Sequence, residues 1–447
     1  MNNTAIVTKI TNVRTHPNAD RVLLATCHGN QVVVGLNTKE GDLGVYFQEG
    51  LQLSKELCSA NNLYREASLN KNPKDKPGMF DNNGRVRAQK FRGEISDGYW
   101  ATIDHFTDFV KNPEKMDEGY EFTELNGVLM CSKYITAKTA AQAQGVKKVK
   151  AAKSSIMFKE HIDTEHFGKH LSEFVPNERI IITEKVHGTS GRVGHVKSNR
   201  ALKLYEKFLI KLGVNIDTTE WKYLNGSRRV VIEESNGVGF HDPTIREMAF
   251  SKFKGNLRKG ETVFFEIVGF EPNGASIMPS VDTTMMKDKA FTKRWSNLGD
   301  MKTMAYSYGC APSTQEVYVY RITMTNEDGN SVEYAWEDVK KRCEELNVKF
   351  VPEIEITTTD MIMYNAGGFD DVATFDYRNY QTFLLAKIDE YAKGASLLDS
   401  SHIREGVCVK IENVNLKNRT FKHKSFDFKV LEGIIKDSGV VDLEEAS

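Results

Sequence analysis

The segment Thr183-Glu-Lys-Val-His-Gly-Thr-Ser190 puts Lys185 at the end of an isoleucine run and Gly188 three residues later, where it lets the backbone turn tightly. An amine attacks phosphorus only in its neutral form, and an unperturbed lysine titrates at about pH 10.4. Cationic neighbours or desolvation must therefore favour the neutral amine before Lys185 can be a nucleophile. Two further stretches supply such neighbours. Arg404-Glu-Gly-Val-Cys-Val-Lys410 sets Glu405 at the mouth of a strand and Lys410 at its far end, and Phe421-Lys-His-Lys424 adds Lys422 and Lys424, which strand spacing turns to one face. Attack on phosphorus depends mainly on positioning and on cations aimed at the phosphate oxygens, which a lysine cluster can supply.

Each piece alone is unspecific. KxxG recurs by chance, EGVxVK reads as an edge strand and KxK as an exposed one. Their order carries the weight: Lys185-x-x-Gly188, Ser227-Arg228, Phe264-Phe-Glu-Ile-Val-Gly269, Val317-Tyr-Val-Tyr320, Glu405 to Lys410, then Lys422 and Lys424. Tyr320 offers a flat aromatic face and Glu266 a hydrogen-bond acceptor. Taken singly, Glu266 reads equally as a salt-bridge partner and Tyr320 as a half-buried core residue.

These residues need a frame. Runs at 179–183, 229–232, 262–268, 317–322 and 406–411 are strand-like, and 335–346 and 380–392 have helical spacing of apolar residues. Strands outnumber helices without regular βαβ alternation, so the fold class is α+β, with mainly antiparallel sheets and flanking helices. No GxxxxGK[ST] phosphate loop is present. Before residue 125, short strands at 32–35, 44–47 and 86–91 alternate with glycine and asparagine turns, as in a small barrel or sandwich, and 71–84 reads as a loop. Between 126 and 159 there is no Asp or Glu but seven lysines: Lys133, Lys138, Lys147, Lys148, Lys150, Lys153 and Lys159. This stretch reads as a solvated linker, as a basic connector lying on phosphate, or as both. The expected division is 1–125, a basic linker 126–165, and a body 166–447.

The formal net charge of -1 gives no argument for a nucleic-acid partner, so any basic surface must be local. Arg85, Arg87, Lys90 and Arg92, interleaved with Phe91 and followed by Tyr99-Trp100, suit a groove for phosphates and stacked bases. An ordinary barrel strand with solvated charges is the bland alternative. Six scattered cysteines without a CxxC pair argue against a zinc site or disulfide framework. With no signal-like start and no apolar run of membrane length, the chain reads as cytoplasmic, without a membrane partner.

The ordered motifs resemble those of the covalent nucleotidyltransferase superfamily, which comprises polynucleotide ligases and messenger-RNA capping enzymes, over roughly residues 179–430. The resemblance implies that Lys185 attacks the α-phosphate of a nucleoside triphosphate. It places Glu184 beside the adenine, Gly188 in the nucleotide site, and Arg228 on ribose or nick phosphate, with Arg229 as its rival. It puts Glu266 on the ribose, Tyr320 on the base, Glu405 on a metal through water, and Lys410, Lys422 and Lys424 on the α-phosphate. Most DNA ligases carry KxDG, whereas His187 stands here, and about 23 residues after Lys424 are too few for the OB domain usual there. Instead, Thr15-His-Pro-Asn-Ala-Asp-Arg-Val22 and the 85–98 stretch resemble OB-type tRNA-binding modules. An OB-like β-barrel ahead of KVHGTSGR is similar to the Deinococcus-type RNA ligase family. That implies an ATP-dependent RNA ligase, acting as a monomer with Mg²⁺ or Mn²⁺, that seals 3′-OH/5′-phosphate nicks with an RNA 3′-OH end in RNA or RNA/DNA duplexes. The alternatives are a capping-type guanylyltransferase, which would label with GTP, and a noncatalytic RNA-binding protein.

Overall fold

The computed structural model describes residues 3–136, 155–161, 163–232, 243–285, 291, 293, 303–365, 377–412 and 419–437. Five lysines of the basic stretch, Lys138, Lys147, Lys148, Lys150 and Lys153, lie outside them. The first part runs β1 (Ala5–Lys9), β2 (Thr11–Thr15), β3 (Val22–Cys27), β4 (Asn30–Gly35), β5 (Leu43–Phe47), β6 (Leu51–Leu53), α1 (Lys55–Ala60), β7 (Ala88–Phe91), β8 (Glu94–Asp97), β9 (Tyr99–Thr102), β10 (Glu121–Phe122), β11 (Glu124–Leu125), β12 (Val128–Leu129) and β13 (Cys131–Lys133). Strands β10-β1-β5-β9 form one antiparallel sheet, β2-β3-β4 a second, and β7-β8, β11-β12 and β13-β6 are two-stranded ladders. Among the described residues these ladders do not join into one closed barrel. Val7, Val45, Phe47, Leu57, Phe106 and Phe122 make the core beneath them.

The second part runs β14 (Glu165–His166), β15 (Arg179–Lys185), β16 (Thr189–Asn199), α2 (Leu204–Lys211), β17 (Thr219–Gly226), β18 (Val231–Ile232), α3 (Pro243–Phe253), β19 (Glu261–Gly269), β20 (Val281–Asp282), β21 (Thr303–Met304), β22 (Gln315–Thr325), β23 (Ser331–Glu333), α4 (Trp336–Leu346), β24 (Lys349–Phe350), β25 (Glu353–Thr358), α5 (Thr359–Asn365), α6 (Tyr377–Ala392), β26 (Gly406–Ile411), β27 (Arg419–Lys424) and α7 (Phe426–Asp437). Two sheets dominate it: β14-β27-β26-β15-β25, and β18-β17-β16-β19-β22-β23 with β24 beside β22. Only the β14–β27 and β22–β24 pairs are parallel among the described ladders. The class is therefore α+β with mainly antiparallel sheets.

Period-2 alternation decides how the first of these sheets packs. Ile180, Ile182, Val407, Val409 and Phe421 point to one face, where α6 covers them with Tyr380, Leu384 and Ile388. Full burial of each such side chain contributes about 1.5–3 kcal/mol. The alternate residues of the same strands are left for the opposite face, which is open to a cavity. The second sheet packs Val263, Phe265, Ile267, Val317 and Val319 against α3 and α4 through Phe253, Trp336, Val339 and Cys343.

Most of the strand runs in the body recur as β15, β19, β22 and β26, and the helical spacings as α4 and the end of α6. Strands β16 and β17 escaped the pattern reading because their apolar residues do not alternate cleanly. Arg192, on β16, is buried and donates through its guanidinium to the carbonyls of Lys159 and Arg228. All six cysteines are free, and among the described residues no helix is long and apolar enough to cross a membrane.

Candidate functional site

The register of three neighbouring strands builds the floor of a cavity of about 200 Å³. Lys185 of β15 lies opposite Gly406 of β26, which lies opposite Lys424 of β27. Two residues along, Thr183 faces Cys408, which faces Lys422, and then Ile181 faces Lys410, which faces Thr420. Eight of these nine residues line the cavity. The ninth, Gly406, is where a Cβ would lie 2.1 Å from the His423 carbonyl, so only glycine allows β26 and β27 this approach. The motif lysines, far apart in sequence, thus share one face because each has the parity that puts it there.

One end of the floor is an ion cluster around the buried Glu405. Its Oε1 lies 2.7 Å from Lys185 Nζ and 3.2 Å from Lys424 Nζ, and its Oε2 3.6 Å from His187 Nδ1. Lys424 also reaches Glu432 of α7 at 3.1 Å. The carboxylate favours the ammonium form of Lys185 while the second lysine opposes it. Beside the nucleophile candidate, Glu184 is buried, and its Oε2 accepts from the Leu397 N–H at 2.7 Å. Burial pushes its carboxyl above the ordinary range, against the hydrogen bonds of Ser396 and Leu397 and the nearby Arg404. Gly188 does not line the cavity; it lets the turn into β16 pass the Ile267 carbonyl, which a Cβ would meet at 2.6 Å.

The second sheet supplies the facing wall. Glu266 of β19 and Tyr320 of β22 both line it, with Glu266 Oε1 accepting from Ser190 Oγ at 2.7 Å. Arg228 lines it too, paired with Asp163 at 3.1 Å, while Arg229 reaches the other oxygen of Asp163 at 2.5 Å and is the more exposed of the two. His161 stands edge-on to Tyr320, ring centroids 5.2 Å apart. Burial, then Arg321 and Arg228, hold its imidazole down at about 3, so it is a neutral wall group. Lys410 is met by Glu333 of β23 at 2.9 Å.

The third side was not foreseen. Gln48, Glu49 and Gly50 of the first part line the cavity, as do Lys133, Asp163 and His166. The surroundings of the half-buried Glu49 raise its carboxyl through desolvation; Glu432 adds to this, while Lys436, Lys424 and Arg85 oppose it. Helix α7 joins both parts. It starts directly after Lys424, with Ser425 Oγ accepting from the Phe428 N–H, and its Lys429 pairs with Asp97 at 2.5 Å. No spacing in the sequence ties Gln48 or Glu49 to lysines near the other end of the chain.

The four basic residues of the 85–92 segment do not form one exposed row. Arg85 has a fully buried side chain that donates to the Gly433 carbonyl and pairs with Asp437 at 2.7 Å, and Arg87 reaches Asp437 at 3.2 Å. Lys90, Phe91 and Arg92 stand exposed at the β7–β8 turn, Arg92 donating to the Asn18 carbonyl.

Among the described residues no three His, Cys, Asp or Glu side chains gather to hold a metal unaided. The buried Glu405, held by Lys185 and Lys424 at the end of the cavity floor, is instead a single hard oxygen donor of the kind a divalent cation takes together with phosphate oxygens and water.

No protein-family model and no curated protein sequence matches this chain. Solved structures do. An RNA ligase of Naegleria gruberi, as a lysine-to-alanine variant with ATP and Mn, is 15% identical with a TM-score of 0.56, over 97% of this chain and 99% of that one. A glutamate-to-alanine variant of the same ligase, also with ATP and Mn, is 16% identical with a TM-score of 0.57, over 96% and 98%. Its form with PPi is 14% identical with a TM-score of 0.55, over 96% and 98%. The shared fold thus runs through both parts of the chain.

Proposed function

We propose that this protein is an ATP-dependent RNA ligase of the Deinococcus type, working through a Lys185–AMP intermediate. The observation that carries this reading is the convergence of Lys185, Lys410, Lys422, Lys424 and Glu266 on one cavity, with Glu405 bridging two of the lysines. The fold likeness to an RNA ligase studied with ATP, AMP, Mn and PPi supports the nucleotide and the metal. In the first step Lys185 Nζ attacks the α-phosphorus of ATP and the bond to pyrophosphate breaks. A 5′-phosphate oxygen then attacks the lysyl-bound AMP phosphorus, freeing Lys185 and giving AppN. Finally the 3′-OH attacks the 5′-phosphorus and AMP leaves.

In this reading Lys410, Lys422 and Lys424 hold the α-phosphate and offset the charge that develops on it. Tyr320 stacks on the base, Glu184 lies beside it, Glu266 binds the ribose, and Arg228 binds ribose or nick phosphate. Glu405 contacts Mg²⁺ or Mn²⁺ through water, and that ion supplies additional positive charge to the phosphates. Residues 1–133 serve as an OB-type nucleic-acid module, since β13 pairs with β6 and extends it past the expected boundary at 125, with the basic stretch after it as a connector and 166–447 as the transferase. The Lys90-Phe91-Arg92 turn contacts the RNA part of a nicked duplex, while Arg85 and Arg87 fasten the module to α7.

Protein incubated with α-labelled ATP and Mg²⁺ or Mn²⁺ is expected to carry label through denaturing electrophoresis, and Lys185→Ala to carry none. An unlabelled wild-type protein overturns the reading, and label from GTP in place of ATP turns it toward a capping-type transferase.

A further inference from the structure

Lys410 is the floor lysine whose side chain is handed over to the opposite sheet. It projects from β26, yet its Nζ lies 2.9 Å from Glu333 Oε1 and within 3.5 Å of the Tyr334 carbonyl, both at the edge of the second sheet. The other oxygen of Glu333 accepts from Arg321 Nε at 2.8 Å, and the Arg321 guanidinium lies over the Phe264 ring, 5.0 Å from its centroid. Lys410, Arg321 and Glu333 all line the cavity, and Lys410 and Glu333 are only 9% and 15% exposed at their side chains. One carboxylate therefore divides its oxygens between two cations from two sheets. We propose that Glu333 is a positioning residue for lysine adenylylation, holding Lys410 and Arg321 as a fixed pair of cations facing the cavity.

Three arguments carry this. A lysine ends in a point charge on a flexible stem, so its ordering is a cost that the reaction meets unless the protein has met it beforehand. A buried ion pair adds little net stability over an apolar replacement, so a pure staple is poorly served by placing its charges on the lining of this cavity. Glu333 is itself tied down. Its strand pairs with β22 at Thr323, so the carboxylate rests on the sheet that also carries Tyr320. The nearby Trp336 N–H donates to Glu412, next after β26, at 2.7 Å, so the two sheets are closed together at this corner. Lys410 is thereby indexed to the wall that faces Lys185 as well as to its own strand.

The proposal rests on the reading of Lys410 as a cation that acts on the nucleotide. A double-mutant cycle on the full chain tests it, with the single-turnover rate of labelling by ATP and the apparent KM as readouts. Glu333→Gln is expected to slow labelling about 10- to 100-fold while KM changes by less than about threefold. In a Lys410→Ala background the same substitution should slow labelling no more than about threefold further, because only Arg321 is left for it to hold. Equal losses in both backgrounds, or a Glu333→Gln rate within about twofold of wild type, overturn the proposal. Wild-type protein that takes no label overturns the functional reading and this one with it, whereas a labelled wild type with an additive cycle overturns this one alone. Should Glu333→Gln lower the melting temperature into the assay range, Glu333→Asp, which keeps the charge, goes through the same cycle under the same criteria.

Discussion

Two lysine- and arginine-rich stretches of this chain, each strand-like in sequence, come to opposite uses. In β27, Lys422 and Lys424 alternate with buried partners and both open on the cavity. In the 85–92 segment, Arg85 and Arg87 alternate in the same way, yet they turn into the junction with α7 and are taken up by Asp437 and the Gly433 carbonyl. The difference is not in the stretches themselves. It lies in what packs over them: a cavity in one case, a helix from the far end of the chain in the other. Local pattern sets which residues share a face, and only tertiary context says whether that face is open.

Substitutions can pull this contrast apart. The largest effect is expected on the floor, where Lys422→Ala should slow labelling by ATP by about 10²–10³-fold if, as proposed, it removes a cation from the α-phosphate. Its melting temperature should move by only a few degrees, as measured by circular dichroism. A labelling rate within tenfold of wild type would mean that the face is open but unused. An intermediate effect is expected at the junction. Arg85→Ala takes one donor from the Gly433 carbonyl and leaves Asp437 with Arg87 alone, and should cost about 2–3 kcal/mol in denaturant unfolding, less than a wholly buried pair because Asp437 is 44% exposed. Should Arg85 instead touch RNA, stability would hold while binding fell. The smallest effect belongs to the exposed turn. Lys90→Ala should weaken RNA binding a few-fold and lower the salt slope by about one charge, with labelling by ATP untouched. An unchanged salt slope would take that turn out of the RNA path.

The sequence was most readable where parity and order were enough. The strands carrying Lys185, Glu266, Tyr320 and Lys410 were visible as apolar runs with turn residues around them, and in Phe421-Lys-His-Lys424 alternation showed that Lys422 and Lys424 face together. It was least readable where a residue serves a distant partner. Arg192 looks like a surface charge in a strand too polar to notice, but it is an internal donor to two loop carbonyls. Glu49 and Gln48 look like turn residues after β5, but they close the cavity beside Glu432 and Lys424. Glu333 ends a short exposed-looking strand, and its meaning appears only when Lys410 arrives from residues much further on. No periodicity encodes such meetings, because they depend on how two sheets and a helix are stacked. The same limit applies to the N-terminal strands, whose existence follows from their β-branched runs while their grouping into separate small ladders does not.

Helix α7 has a mechanical side. It spans 12 residues, about 18 Å of rigid rod, with only Ser425 between its first residue and Lys424 and its last, Asp437, gripped by Arg85 and Arg87. Over such a lever, a sideways slip of about 1 Å at the gripped end is a tilt of roughly 3° at the other, delivered next to a cation 3.2 Å from the carboxylate that also holds Lys185. The N-terminal part therefore need not touch the nucleotide to set how well the lysines are aimed. Whatever it leans on is felt, through one stiff arm, at the amine.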